Sequence, residues 1–330
     1  MSVADDGKQE TPDRAVRRVA VVGAGLMGSG IAAELALRVP HLEVVRVWDP
    51  AEGAAGRAVE GAQEVAEALV GAGILEHGMA GARLGRLRAV STLEAAVDGA
   101  QYVAEAAPED LALKQELFRR LDALAPRETV LASNTSGYDP ADLARGLAHP
   151  ERVLVAHYFA PAYLIPLVEV VPHAETAEQA VEQTLTLLAS AGKRAVRLGR
   201  FAPGFVANRL QQALFREALF LVREGIAPAE AVDEVVRFSF GPRLAALGPF
   251  TVADFAGLDV YASLARNVWP TLSTESAARA LPPELAEATA TKKLGVKAGE
   301  GFFAWPEPRR RSVTARRDRA LAEAFRRGED

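Results

Sequence analysis

The stretch "RVAVVGAGLMGSG", Arg18–Gly30, decides the fold. Arg18–Val22 reads as a short buried strand, and an apolar helix follows to about Leu37. Between them lie Gly23, Gly25 and Gly28 in G-x-G-x-x-G spacing, in the strand-to-helix setting that gives this pattern its meaning. The first glycine permits a tight turn, the second lets backbone approach a pyrophosphate, and the third lets the helix pack close to the strand. Phosphates then sit at the positive end of a helix that opens with Leu26 and Met27. A second strand, "LEVVRVWD", ends in Asp49, 21 residues after Gly28 (49 − 28). An acid there meets the adenosine ribose hydroxyls and repels a 2′-phosphate, so NAD is expected rather than NADP.

Outward from this unit, strands and helices alternate. "QYVAEAA", "TVLASNTS", "RVLVAHYF", "IPLVEVV" and "RAVRL" read as strands, with helices over "GRAVEGAQEVAEALVGAG", "DLALKQELFRRLDAL", "ADLARGL" and "AEQAVEQTLTLLASAG". The expectation is α/β: a Rossmann-type doubly wound, mostly parallel sheet with helices on both faces. Beyond "GRFAPGF" the alternation stops, and "FVANRLQQALFREALFLVREG", "PAEAVDEVVRFSF", "TVADFAGLDVYASLARNVWPTL" and "PPELAEATATKKL" read as helices. The expected divisions are a disordered lead-in over residues 1–16, a dinucleotide domain over 17–200 and an all-α domain over 201–330. The arginine-rich end of the chain reads as a solvated helix on that second domain.

Bulk properties narrow the function. The 330 residues are 49% apolar and 25% charged, an ordinary globular balance, and the net charge of −5 favours neither nucleic acid nor an anionic membrane as partner. Cysteine is absent, which removes disulfides, thiol nucleophiles and thiolate metal sites; no metal site is expected. No apolar run approaches the ~20 residues needed to span a bilayer. The polar, partly acidic opening resembles neither a signal peptide nor a transit peptide, so a cytoplasmic protein is expected.

"VLVAHYFAPAYLIPLVEVV", Val153–Val171, is almost wholly apolar yet holds His157 and Glu169. His157 falls at the carboxyl end of a sheet strand, where open α/β sheets bind their ligands. His41, His77, His149 and His173 fall in connections or elsewhere. Glu169 either points to solvent from an edge strand or faces His157 across a strand pair. In the second case it would fix the imidazole tautomer and stabilise the imidazolium, as a base for alcohol oxidation requires. Ser136, at another strand exit, and Asn208, at the start of the first helix of the second domain, could hold a substrate oxygen.

Taken together, "VVGAGLMGSG", "VAEAAPEDLALKQELF", "ASNTS", "AHYFAP…IPLVEVV", "PGFVANRL", "GPF…DFAGLD" and "KAGEGFF" resemble the L-3-hydroxyacyl-CoA dehydrogenase family, in order and over about Arg18–Trp305. The resemblance implies a nicotinamide-binding domain followed by a helical domain that commonly dimerises. It puts the family's base on His157, the base's partner on Glu169, and the oxygen-holding serine and asparagine on Ser136 and Asn208. It also places contacts near the nicotinamide at Glu109, Lys114 and Lys297.

Two departures stand out. Ala160 replaces the family's usual asparagine in His-Phe-Phe-Asn-Pro, and the helix after Asp49 carries Glu60, Glu64 and Glu67 where CoA-using members carry lysines. The segment "FSFGPRLAALGPF", longer than the family's usual turn, holds Arg243. Together with the arginine-rich end it is similar to the gulonate dehydrogenase (lambda-crystallin) branch. An arginine fork there suits a free carboxylate, though Arg243 could equally be a structural pairing or capping residue.

The expectation is therefore an NAD-dependent dehydrogenase oxidising a 3-hydroxyl, with His157, Glu169, Ser136 and Asn208 in catalysis and Ser136, Asn208 and Arg243 on the substrate. A small free 3-hydroxycarboxylate is favoured. A 3-hydroxyacyl-CoA thioester is the alternative, and a non-catalytic NAD-binding sensor or structural protein is the rival of another class. The 3-hydroxyisobutyrate and 6-phosphogluconate type is disfavoured, because "FVANRLQQALFREALFLVREG" lacks the lysine which that chemistry uses.

Overall fold

The computed structural model describes residues 15–273 and 283–327. Of the expected lead-in, residues 1–14 lie outside the described residues, whereas Val16 is buried at 3% exposure and belongs to the core. The chain divides into one unit that runs to Phe205 and takes in the last helix from Asp318, and a second over Val206–Arg317.

The first unit is one eight-stranded sheet in the order β3-β2-β1-β4-β5-β6-β7-β8. The strands are β1 (Arg18–Val22), β2 (Val44–Trp48), β3 (Leu87–Ala89), β4 (Tyr102–Glu105), β5 (Val130–Ser133), β6 (Val153–Tyr158), β7 (Leu167–Pro172) and β8 (Arg194–Arg197). All pairings are parallel except β6 with β7. The order reverses between β1 and β4, the topological switch point at which such sheets open a crevice.

Both faces are covered. On one lie α1 (Leu26–Arg38), α2 (Ala54–Gly71) and, after the short α3 (Ala80–Leu84), α7; on the other lie α4 (Leu93–Val97), α5 (Leu111–Leu124) and α6 (Pro140–Ala144), with α7 spanning Glu178–Ser190. Successive strand residues serve opposite cores: Val19 and Val21 pack with Ile31 and Leu35, while Ala20 and Val22 pack with Phe118 and Leu121. Each buried Val, Ile, Leu or Phe among these contributes about 1.5–3 kcal/mol, offset by its ordering entropy. Strands covered on both sides show no polar alternation, which is why they read as continuous apolar runs.

Structure and sequence reading differ in places. The edge strand β3 and helices α3 and α4 fall in a segment too polar and too short-patterned to announce them.

The second unit contains α8 (Ala207–Arg223), α9 (Ala229–Phe238), α10 (Phe240–Leu247), α11 (Pro249–Ala256), α12 (Leu258–Val268), α13 (Pro283–Ala290) and the larger part of α14 (Glu307–Arg327). The segment expected to be a long turn is the helix α10, and Arg243 sits exposed on it. The single helix expected over "TVADFAGLDVYASLA" is two, broken at Gly257, whose φ of 95° no helical residue adopts. The first residue of "PPELAEATATKKL", Pro282, lies outside the described residues.

Candidate active site

At the switch point the glycine turn is built as its spacing requires. Gly23 has φ 100°, and a Cβ there would lie 2.6 Å from the Ala106 carbonyl oxygen at the end of β4. A Cβ on Gly25 would meet no protein atom within 4 Å, which is the open approach a pyrophosphate needs. Gly28 lets α1 start close against the strand ends: its Cβ would fall 1.8 Å from the Gly23 carbonyl oxygen, just past β1, and 3.4 Å from Ala106 Cβ, just past β4. Leu26 is 82% exposed at the first turn of α1 and Met27 is half-buried.

The Asp49 carboxylate is held by two backbone amides, accepting from Ala24 N at 2.7 Å and Ala51 N at 2.8 Å. It braces the glycine turn, and each oxygen retains a lone pair for a ribose hydroxyl. Open backbone at Gly25, a helix N-terminus and a fixed acid together fit a dinucleotide.

The carboxyl ends of β4 and β5 carry a second constellation. Buried Glu105 accepts from Lys114 Nζ at 2.7 Å, from Ala107 N at 2.7 Å and from the Ser133 hydroxyl. Lys114 also donates to the Ala107 carbonyl at 3.1 Å and stands 3.6 Å from Glu109, so it is an interior cation with 1% of its side chain exposed. Asp110 caps α5 through Leu113 N. Glu109 accepts from the Thr135 hydroxyl at 2.6 Å and from Ser136 N at 3.1 Å, which brings Glu109, Lys114 and exposed Ser136 together.

His157 and Glu169 are register partners on the antiparallel pair β6 and β7. Both are buried, and His157 Nδ1 lies 3.0 Å from Glu169 Oε2. A proton on Nδ1 donated to that carboxylate leaves the Nε2 lone pair as the acceptor. The imidazole is wedged between Phe159 and Phe205, with ring centroids at 4.5 and 5.2 Å, which restrict its tilt. Of the two orientations open to Glu169, the solvent-facing one is not adopted: 2% of it is exposed.

Asn208 is half-buried in the first turn of α8, and Lys297 lies on a short 3-10 turn, Val296–Ala298. These two and Arg243 belong to the second unit. Lys297 lines an open cleft there, about 630 Å³, with Phe302, Phe303 and Trp305.

Sequence reasoning passed over Glu105, Ser133, Asn134 and Thr135. Asn134 Oδ1 accepts from Tyr158 N at 2.8 Å and so ties the exit of β5 to that of β6. A carboxylate inside "QYVAEAA" was the available signal for Glu105, because buried acids are rare unless paired.

Comparison with known proteins agrees with this architecture. Residues 18–201 match the family description "3-hydroxyacyl-CoA dehydrogenase, NAD binding domain", and residues 204–305 match its C-terminal domain. An L-carnitine dehydrogenase from Streptomyces griseus is 43% identical over 274 residues, covering 81% of this chain and 80% of its own. A 5-formyl-3-hydroxy-2-methylpyridine 4-carboxylate 5-dehydrogenase from Mesorhizobium japonicum is 35% identical, covering 93% of this chain and 96% of its own. Among solved structures, that of an NAD⁺-dependent 5-formyl-3-hydroxy-2-methylpyridine 4-carboxylic acid 5-dehydrogenase superposes with a TM-score of 0.85 at 34% identity, over 95% of this chain and 99% of the other. The (S)-3-hydroxybutyryl-CoA dehydrogenase PaaH1 from Ralstonia eutropha gives 0.70 at 27% identity, over 89% and 100%.

Proposed function

The chain belongs to the 3-hydroxyacyl-CoA dehydrogenase family of NAD-dependent oxidoreductases, and we propose that within it His157 is the base that takes the hydroxyl proton when NAD oxidises the 3-hydroxyl of a small free 3-hydroxycarboxylate. The observation that carries this is the buried His157–Glu169 pair at the carboxyl end of β6. NAD, when bound, supplies the hydride acceptor. His157 Nε2 takes the hydroxyl proton, and Glu169 stabilises the imidazolium that results. Ser136 and Asn208 hold the oxygen that becomes the carbonyl. Glu109, Lys114 and Lys297 serve the nicotinamide side, Lys114 by holding Glu109 from within, and Gly23, Gly25, Leu26, Met27, Gly28 and Asp49 serve the rest of the dinucleotide.

The substrate reading draws on charge. Helix α2 buries Ala55, Ala58, Ala62, Ala66 and Leu69 and presents Glu60, Glu64 and Glu67 to solvent, a surface that repels the polyanionic CoA handle. Relatives named for carnitine, itself a free 3-hydroxycarboxylate, support the same choice. Arg243 is exposed and is assigned to the substrate carboxylate. Exposed apolar side chains on α11 and α12, among them Phe250, Phe255 and Leu264, support a homodimer built on the helical unit. Among the described residues no helix is long and apolar enough to cross a membrane. Dependence on NAD, drawn from the intracellular pool, supports a cytoplasmic setting.

The test is NADH formation with carnitine, other free 3-hydroxy acids and 3-hydroxybutyryl-CoA, beside the His157→Gln variant. Turnover confined to free acids, lowered about 10²–10⁴-fold in the variant, is expected. Preference for the thioester would overturn the substrate class. Normal turnover by the variant would overturn the base.

A further inference from the structure

Tyr158 follows His157 on β6 and points to the opposite face of the sheet, toward a second buried ion pair. There Lys193, in the turn before β8, reaches Glu34 of α1 at 2.7 Å, with neither side chain exposed. Lys193 Nζ donates to the carbonyls of Ala162 and Ile165, the latter at 2.7 Å. The same ammonium lies 5.5 Å from the centre of the Tyr158 ring. Ala162 and Ile165 belong to the Phe159–Pro166 loop, which leaves β6 two residues after His157 and returns three before Glu169. That loop is pressed on the cofactor helix, since a Cβ on Gly30 would lie 3.3 Å from Ala162 Cβ.

Stability alone does not account for such a pair. Desolvating two charges offsets most of their attraction, and well-packed apolar residues of similar volume often match or exceed a buried ion pair. What an apolar pair cannot do is grip two carbonyls at defined points. We propose that Lys193, braced by Glu34, is a positioning residue of the active site: it clamps the Phe159–Pro166 loop to α1 and so fixes His157 relative to the helix that carries the dinucleotide. The role assigned to His157 under the proposed function is presupposed, whereas the clamp itself rests on the Lys193 contacts.

The decisive protein is the full-length Glu34→Leu/Lys193→Met double variant, which removes both charges together and frees the Ala162 and Ile165 carbonyls from the ammonium. Its melting temperature is expected within a few degrees of the parent. Hydrogen exchange at Leu164 and Ile165, whose amides bond the Pro161 carbonyl, should accelerate at least tenfold while α1 keeps its protection. Turnover should fall on the order of 10²-fold with NADH affinity within about threefold, as a misplaced base requires. Unchanged loop exchange, or unchanged kcat in a folded double variant, overturns the proposal. Should the double variant not fold, Glu34→Met alone gives the same two readouts with the same expectations. His157→Gln is assayed in parallel: if it turns over normally the base assignment fails, whereas the exchange measurement still decides the clamp.

Discussion

Glu105 and Lys114 form an ion pair sealed from solvent where β4 gives way to α5, and every oxygen and proton of the pair that can be assigned has a protein partner. Removing one partner leaves an uncompensated interior charge. Lys114→Ala should therefore destabilise the protein by about 3–5 kcal/mol. Denaturant unfolding checks this. A loss below about 1 kcal/mol would show that water reaches the site and that the pair is not structural.

Glu169→Gln keeps the shape of the buried side chain but removes the charge that faces an imidazolium. Turnover should fall on the order of 10²-fold, with folding and NADH affinity little changed. Turnover equal to the parent's would mean that Glu169 does not act through His157.

Reversing the acidic face of α2 with Glu60→Lys, Glu64→Lys and Glu67→Lys should raise kcat/KM for a 3-hydroxyacyl-CoA several-fold at low salt. Exposed charges are each worth about 0.2–1 kcal/mol, and salt screens them. Activity on free acids should stay as it was. A thioester effect that persists at high salt would point to contact rather than to charge.

Burial raises the phenols of both Tyr102 and Tyr158 above the ordinary tyrosine range; the Thr184 hydrogen bond partly offsets this at Tyr102, while Tyr102 and Glu34 add to it at Tyr158. An unfolded tyrosine loses its proton near 10 while these keep theirs. Above that pH the native state binds more protons than the unfolded chain, so stability falls as pH rises. Among the described residues the Tyr158 hydroxyl has no hydrogen-bond partner, so Tyr158→Phe should be near-neutral at pH 7. Above pH 10 its stability should decline about 1.4 kcal/mol per pH unit less steeply than the parent's, as followed by chemical unfolding.

The sheet and its glycine turn were legible because they rest on local chemistry: apolar runs bounded by glycines, and an acid at the end of the second strand. His157 was legible because a strand end in such a sheet is a functional address. The choice between two orientations for Glu169 was not, since it depends on whether β7 is covered, and Phe205 arrives from far along the chain to help cover it. Lys193 was invisible for a similar reason. In "AGKRAV" it reads as a surface charge at a turn, and only Glu34, 159 residues earlier (193 − 34), makes it an interior group. The break at Gly257 was hidden by apolar spacing that runs on through two helices.

The reversal of β7 against β6 sets a limit on how this site can change over evolutionary time. Register is locked wherever both sheet faces are buried, and a slip of one residue would swing Glu169 onto the α1 side, away from the imidazole. Insertions within β6 or β7 are therefore closed to selection. The turn that joins the two strands has no ladder to break. Residues such as Ala160 can be exchanged there one at a time while the paired His157 and Glu169 stay where they are.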